Sequence, residues 1–484
     1  MCDTFVATPD STASGKMIFG KNSDREPNEA QCLVRYPSGK HSSPTTRVTY
    51  RDIPQVKETH EILVSKPFHM WGAEMGANSK GVVIGNEAVF TKIRIEGKNN
   101  GLTGMDMIRV ALERSRNSIE ALELIVDLVE KFGQDAGGGY LNKKFFYHNS
   151  FIVADAKDAY VLETAGRFWA WKKIRGFYSI SNGLTLESDY DDLHPDAIDY
   201  ARSQGWLAKG ATFSFRESFS DSFYTTFSKC KVRRDVTMRV GNSAGEKMNV
   251  RKAMEILRLE GQGGPKSKVG GGPGGFPPRD SGFSPAGSGM GSVCLHATGF
   301  TAPNQTNGSF VAEIDTDAKR SQFWATGASI PAISIFLPFS LPGTAASEGT
   351  IVQPGASPDT SLWWSHETLY RLCLRNYSDA ISVFSAELKD VQESLLKKSQ
   401  SILLKKGKSV VTLDTLSEEA IAEAVRSYQK WRMQVAELAV KGRLFTRPWL
   451  APLYRASWFI WNRKARITDS VLTGKDLPFE PAYL

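Results

Sequence analysis

Met1-Cys2-Asp3-Thr4-Phe5-Val6-Ala7 opens the chain, and Lys16-Met17-Ile18-Phe19-Gly20-Lys21-Asn22-Ser23-Asp24-Arg25 follows across the turn-forming run Pro9-Asp10-Ser11-Thr12-Ala13-Ser14-Gly15. The two apolar runs, Thr4 to Ala7 and Lys16 to Gly20, predict a pair of antiparallel strands. That pairing carries the start of the chain back beside the polar cluster Lys21 to Arg25. Removal of Met1 leaves a cysteine with a free α-amino group there. A thiol attacks as thiolate, and an α-amine of pKa about 7.7 to 8.0 lies within one residue's reach of the sulfur and takes its proton near neutral pH. Nucleophile and base then belong to one residue, Cys2.

These residues resemble the start of the secernin and dipeptidase A family, cysteine peptidases of the N-terminal-nucleophile hydrolase superfamily. Further blocks agree in order: Met70-Trp71-Gly72-Ala73-Glu74-Met75-Gly76-Ala77-Asn78, Gly81-Val82-Val83-Ile84-Gly85-Asn86-Glu87-Ala88, and Tyr178-Ser179-Ile180-Ser181-Asn182-Gly183-Leu184. Later come Ser292-Val293-Cys294-Leu295-His296, Asn304-Gln305-Thr306-Asn307-Gly308-Ser309, Phe323-Trp324-Ala325-Thr326-Gly327 and Trp363-Trp364-Ser365-His366-Glu367. The resemblance spans about residues 2–375 and lies in the ordered set of blocks.

The resemblance implies a four-layer αββα sandwich and hydrolysis of a small peptide amide, with Cys2 as nucleophile and its own α-amine as base. Amide cleavage needs donors for the tetrahedral oxyanion; by similarity to related acylases these are Asn86 and Asn182. Asp24 holds and orients the α-amine. Lys21 stands where the acylase relatives carry arginine beside the thiol. Those relatives also use a later arginine, for which the stretch Ser228-Lys229-Cys230-Lys231-Val232-Arg233-Arg234 offers Arg234. Each residue has a plainer explanation: an asparagine after an apolar run closes a local turn, and Asp24 next to Arg25 forms a surface ion pair.

No other constellation competes well. Cys32, Cys230, Cys294 and Cys373 form no CxxC pair, so neither a zinc site nor a disulfide framework is suggested. His41, His60, His69, His148, His194, His296 and His366 form no HxxxH or HxH pair, although a papain-like Cys/His arrangement with His296 or His366 stays open. Neither cofactor nor metal is called for. Five scattered cysteines fit a reducing cytosol, no basic region leads into a long apolar stretch at the start, and no apolar run reaches the length of a membrane span. A cytoplasmic protein is expected.

Composition, 41% hydrophobic and 23% charged over 484 residues, is that of a globular chain of mixed α and β type. Helices are predicted over Thr103 to Arg114 and from Asn117, with Glu120 three residues on, to Gly133. A β-meander is predicted over Phe151 to Ala154, Ala159 to Thr164 and Phe168 to Ile174. The hydrolase domain is placed at 2–377, interrupted at 261–291 by a Gly, Pro and Ser-rich insertion that reads as flexible, either a flap over the substrate or a surface loop. Residues 378–484 read as a helical, basic C-terminal extension, with helices over Ala380 to Lys406 and from the box Thr415-Leu416-Ser417-Glu418 to Lys441. Residues 401–484 hold 14 Lys plus Arg against 8 Asp plus Glu, supplying +6 of the chain's +8. Trp449, Trp458, Phe459, Trp461 and Arg463-Lys464-Ala465-Arg466 mix aromatic and basic residues, and a packed extension or homo-oligomer contact explains them better than nucleic acid or membrane. The expected partner is a small peptide or acyl-amino acid. Alternatives are a non-peptide amide acylase of the same superfamily and a secernin-like interaction protein in regulated secretion.

Overall fold

The computed structural model describes residues 1–243, 247–261, 273–277, 283–300, 302–404, 412–440 and 452–474. Two antiparallel sheets lie face to face. One has six strands in the order Phe177–Ile180, Cys2–Ala7, Met17–Arg25, Gln305–Ile314, Gln322–Ala325 and Leu337–Phe339. The other has eight, from Asp192–Leu193 through Phe168–Lys173, Ala159–Ala165, His148–Ala154, Val83–Val89, Met75–Asn78 and Ile62–Pro67 to Gln31–Tyr36. The strand Cys2–Ala7 packs across the gap on Val83–Val89 and His148–Ala154. Helices Gly104–Arg114 and Ser118–Phe132 cover the outer face of the larger sheet; Cys230–Gly241, Val250–Leu257 and Leu413–Val440 cover that of the smaller. The layers are α, β, β, α.

Every residue of Cys2–Ala7 and Met17–Arg25 is buried, because one face of each strand meets the opposite sheet and the other meets helices. That explains the continuous apolar run where a half-exposed strand would alternate. Glycine is required at two points of closest approach. A Cβ at Gly20 would sit 2.2 Å from the Phe5 ring, and one at Gly85 would sit 2.5 Å from Cδ of Lys21. The second gap lets the Lys21 side chain run between the sheets to the residue after Gly85.

Local signals in the first half are realised closely. Thr103 and Asp106 form the capping box of Gly104–Arg114, and Asn117 caps Ser118–Phe132, which stops at Gly133 with φ 68°. The meander forms as His148–Ala154, Ala159–Ala165 and Phe168–Lys173.

The later chain is helical and packed, and its helices join the outer layer of the smaller sheet. Its helices are Ser385–Leu404 and Leu413–Val440, and the second is capped one turn earlier than predicted, with the Thr412 hydroxyl accepting from the Thr415 N–H. Ala424, Tyr428, Trp431 and Val435 lie along the buried face of that helix and join the cluster that holds the small-sheet core. It packs on helix Leu362–Cys373 and strand Leu337–Phe339, forming part of the outer layer. Trp458 and Trp461 are buried as well, while Phe459 is exposed; Trp449 lies outside the described residues. Much of the insertion at 261–291 also lies outside them. Its described middle is anchored: Phe276 is buried under the Arg258 guanidinium at 3.7 Å, and Arg258 donates to the carbonyls of Gly274 and Gly275. One aromatic ring, which composition averages away, fixes that segment. Among the described residues no helix is long and apolar enough to cross a membrane.

Candidate active site

The hairpin register pairs Cys2 with Ser23, Asp3 with Asn22 and Thr4 with Lys21. Cys2 therefore lies beside Asp24, whose backbone N–H points at the sulfur at 3.4 Å. A cavity of about 180 Å³ opens onto this point, lined by Met1, Cys2, Asp24, Asn86 and Tyr147 among others. The Met1 amine donates to the Asp24 carbonyl at 2.8 Å, so the first residue occupies part of the space.

Asn182 reaches Cys2 from the neighbouring segment. Its Oδ1 accepts from the Cys2 nitrogen at 2.9 Å and its Nδ2 donates to the Ala88 carbonyl at 2.9 Å. The amide carbonyl is thus aimed at the nitrogen of Cys2, a placement suited to orienting an amine; the expected oxyanion role would fall to the second N–H of Nδ2, whose first is given to Ala88. Asn86 has the complementary setting. Its Nδ2 donates to Oδ1 of Asn149, Nδ2 of Asn149 donates to Oε1 of Gln134, and Nε2 of Gln134 donates to the Gly166 carbonyl. A backbone carbonyl only accepts, so the relay fixes the orientation of all three amides and leaves Asn86 a second N–H.

Lys21 is fully buried between the sheets, donating to the Asn86 carbonyl at 2.5 Å and standing 3.6 Å from Glu87. Burial works against its charge, but Cys2, Glu87, Glu74 and Asp24 around it win and raise its pKa. At Glu87 the balance falls the other way: burial pushes the carboxyl up to about 8 against the pull of Lys21, and Oε2 has no partner. Burial likewise pushes Asp24 up to about 6, opposed by the terminal amine. Asp24 Oδ1 accepts from the Thr306 hydroxyl at 2.6 Å, while its Oδ2 is buried without a hydrogen-bond partner.

The arginine beside Cys2 is Arg233, and not the expected Arg234. Arg233 is fully buried, paired with Asp3 at 2.9 Å, and donates to Asn182 Oδ1 at 2.5 Å and Ser181 Oγ at 2.9 Å. Arg234, one step round the same helix, turns away: it donates to the Ser179 carbonyl and covers the Tyr178 ring at 5.2 Å. A helix advances about 100° per residue, so neighbours cannot share a face. Asn22, the other conspicuous amide of the motif, ties the carbonyls of Leu257 and Val293 to the hairpin. His296 and His366 do not line the cavity and sit in hydrogen bonds to Tyr370 and Glu260, and to Ser329 and the Ile333 carbonyl. Among the described residues, Glu260, Cys294 and His296 bring ligand atoms within 4.8 Å of one another, but both ring nitrogens of His296 are already engaged.

Burial pushes the Cys2 thiol up to about 12, partly offset by Lys21, while its nitrogen is an amide to Met1. Such a thiol needs a base at its side to react near neutral pH.

Nothing in the sequence singles out Arg233, Asp3, Asn149 or Gln134 individually. Asp3 lies in the opening motif and Arg233 within the basic stretch, whereas Asn149 and Gln134 carry no local signature.

A family model described as acyl-coenzyme A:6-aminopenicillanic acid acyl-transferase matches residues 11–164. Among solved structures the chain is similar to the C2A mutant of conjugated bile acid hydrolase from Clostridium perfringens, at 10% identity and TM-score 0.39 over 73% of this chain and 97% of that one. It is also similar to penicillin V acylase from Agrobacterium tumefaciens, at 11% identity and TM-score 0.37 over 72% and 89%. A third likeness is to the Caenorhabditis elegans N-acylethanolamine-hydrolyzing acid amidase orthologue, at 13% identity and TM-score 0.31 over 53% and 85%.

Proposed function

We propose that this chain is a cysteine-type N-terminal-nucleophile hydrolase that cleaves the amide of a dipeptide. The observation that carries this is the joint position of the Cys2 sulfur and nitrogen at a cavity wall, with Asn182 Oδ1 on the nitrogen and the Asp24 N–H pointing at the sulfur. Once Met1 is removed, the nitrogen becomes an amine. It takes the thiol proton, the sulfur attacks the carbonyl carbon, and the carbonyl electrons move to oxygen. Asn86, held by Asn149 and Gln134, supplies its second N–H to that oxyanion. Asp24 and Asn182 hold the resulting α-ammonium, which gives its proton to the departing nitrogen as the C–N bond breaks. Water, deprotonated by the same amine, then attacks the thioester and releases the acyl group. Lys21 and Arg233 act on the site from behind, Lys21 by lowering the cost of thiolate and Arg233 by fixing Asn182.

A second reading, hydrolysis of a non-peptide amide such as an acylated amino acid, is favoured by the family-model match over residues 11–164. The two separate in one assay. Mature enzyme is offered a panel of dipeptides and N-acyl-amino acids, with released primary amine quantified; the proposal expects turnover of dipeptides well above that of N-acyl-amino acids. Preference for the acylated set makes the second reading the right one, and turnover of neither removes both.

A further inference from the structure

We infer that Glu26 is the anchor for a positively charged amino group of the substrate, so that the cavity selects amides bearing a free α-ammonium. This builds on the hydrolase reading and adds what chooses the substrate. Asp24, Glu26, Glu29 and Glu74 line the cavity, against Arg25 as the one cationic side chain among its described lining residues. Arg25 is spent: it is ion-paired with Glu29 and Glu74 and donates to the Gly138 carbonyl. Asp24 is taken up by Thr306 and, in the proposed mechanism, by the mature amine. Glu26 is left over.

The Glu26 side chain is set up to receive a donor. Its backbone carbonyl accepts from the Glu29 N–H at 2.9 Å and from Asn307 Nδ2 at 2.8 Å, which fixes where the side chain starts. The Leu141 N–H bonds the carboxylate, and Oε2 is buried with no hydrogen-bond partner. Burial and Glu29 raise its pKa against the pull of Arg25 and Lys464, and among the described residues no cation forms an ion pair with it, so a substrate ammonium supplies the counter-charge that favours the carboxylate. A buried acceptor without a donor is costly, and a charge-assisted bond from an ammonium removes that cost. The excess of carboxylates also raises the local concentration of cationic substrates and disfavours anionic ones.

Full-length Cys2→Ser protein, which cannot consume its ligand by thiol chemistry, is titrated calorimetrically with alanylalanine and with N-acetyl-alanylalanine. The free dipeptide is expected to bind about 10-fold or more tightly than the acetylated one, as a charge-assisted bond implies. Adding Glu26→Gln should weaken the free dipeptide about 10- to 100-fold and leave the acetylated one unchanged, with Glu26→Asp recovering part of the loss. Equal binding of the two ligands, binding of neither, or a preference that survives Glu26→Gln overturns the anchor. Turnover by the wild-type enzyme is read separately. Hydrolysis of both ligands with equal efficiency sinks the anchor and spares the hydrolase; Glu26-dependent binding without any turnover does the reverse.

Discussion

Replacing Cys2 with alanine is expected to lower kcat by about 10³-fold or more, and replacement with serine to fall within that range too, because the nucleophile is lost or becomes a hydroxyl, far less acidic than the thiol for which this site is arranged. Neither change should disturb the fold. The sulfur receives one long contact from the Asp24 N–H and takes no part in the Arg233 or Asn86 networks. Denaturation midpoints close to wild type, measured beside kcat and KM, separate loss of chemistry from loss of structure. KM should change little, since the proposed substrate anchor is Glu26 and not the thiol. An alanine variant that retains wild-type turnover would place the nucleophile elsewhere in the chain.

Arg233→Met should cost about 3–5 kcal/mol of stability, the range seen when one partner of a buried ion pair is removed. Asp3 would be left in the interior with its Oδ1 already unpartnered and its Oδ2 newly so. Asn182 would lose the donor that pins its carbonyl toward the Cys2 nitrogen, so kcat should fall even at temperatures where the variant is folded. Arg234→Met is the control. It gives up one bond to the Ser179 carbonyl and a ring contact in a half-buried setting, worth about 1 kcal/mol. Urea unfolding of the two variants side by side should therefore show a clear gap, with kcat following the same order. Equal effects would mean that the buried cluster around Asp3 does not organise the site.

How much of this was readable beforehand follows from how local each cause is. The hairpin that presents Cys2 was legible because its two apolar runs and intervening turn are contiguous, and a two-residue side-chain period leaves little freedom in which residues oppose Cys2. The caps at Thr103 and Asn117 were legible for the same reason. Choosing Arg233 over Arg234 was not, because it depends on where the helix Cys230–Gly241 begins, after Lys229 at φ 54°, and on how it rolls against strand Phe177–Ile180. The Asn86, Asn149 and Gln134 relay joins residues as far as 63 positions apart, and nothing along the chain marks them as neighbours. The role of the later helices was half-legible: their extent and the polar residues that open the second were visible, but which surface they cover was set by Leu362–Cys373 and Leu337–Phe339. For the Gly and Pro-rich insertion, composition described the average and missed Phe276, whose burial beneath Arg258 holds its described middle in place.

On the proposed mechanism Cys2 works through its own α-amine, and that amine can be changed while the thiol is kept. The protein is prepared with a protease-cleavable leader joined to Cys2, assayed for dipeptide hydrolysis, then cut so that Cys2 becomes the first residue, with intact mass confirming each form. Turnover that is absent before cleavage and present after it is the predicted result. Equal turnover in the two forms would contradict the account, because the Cys2 nitrogen would then be an amide in an active enzyme.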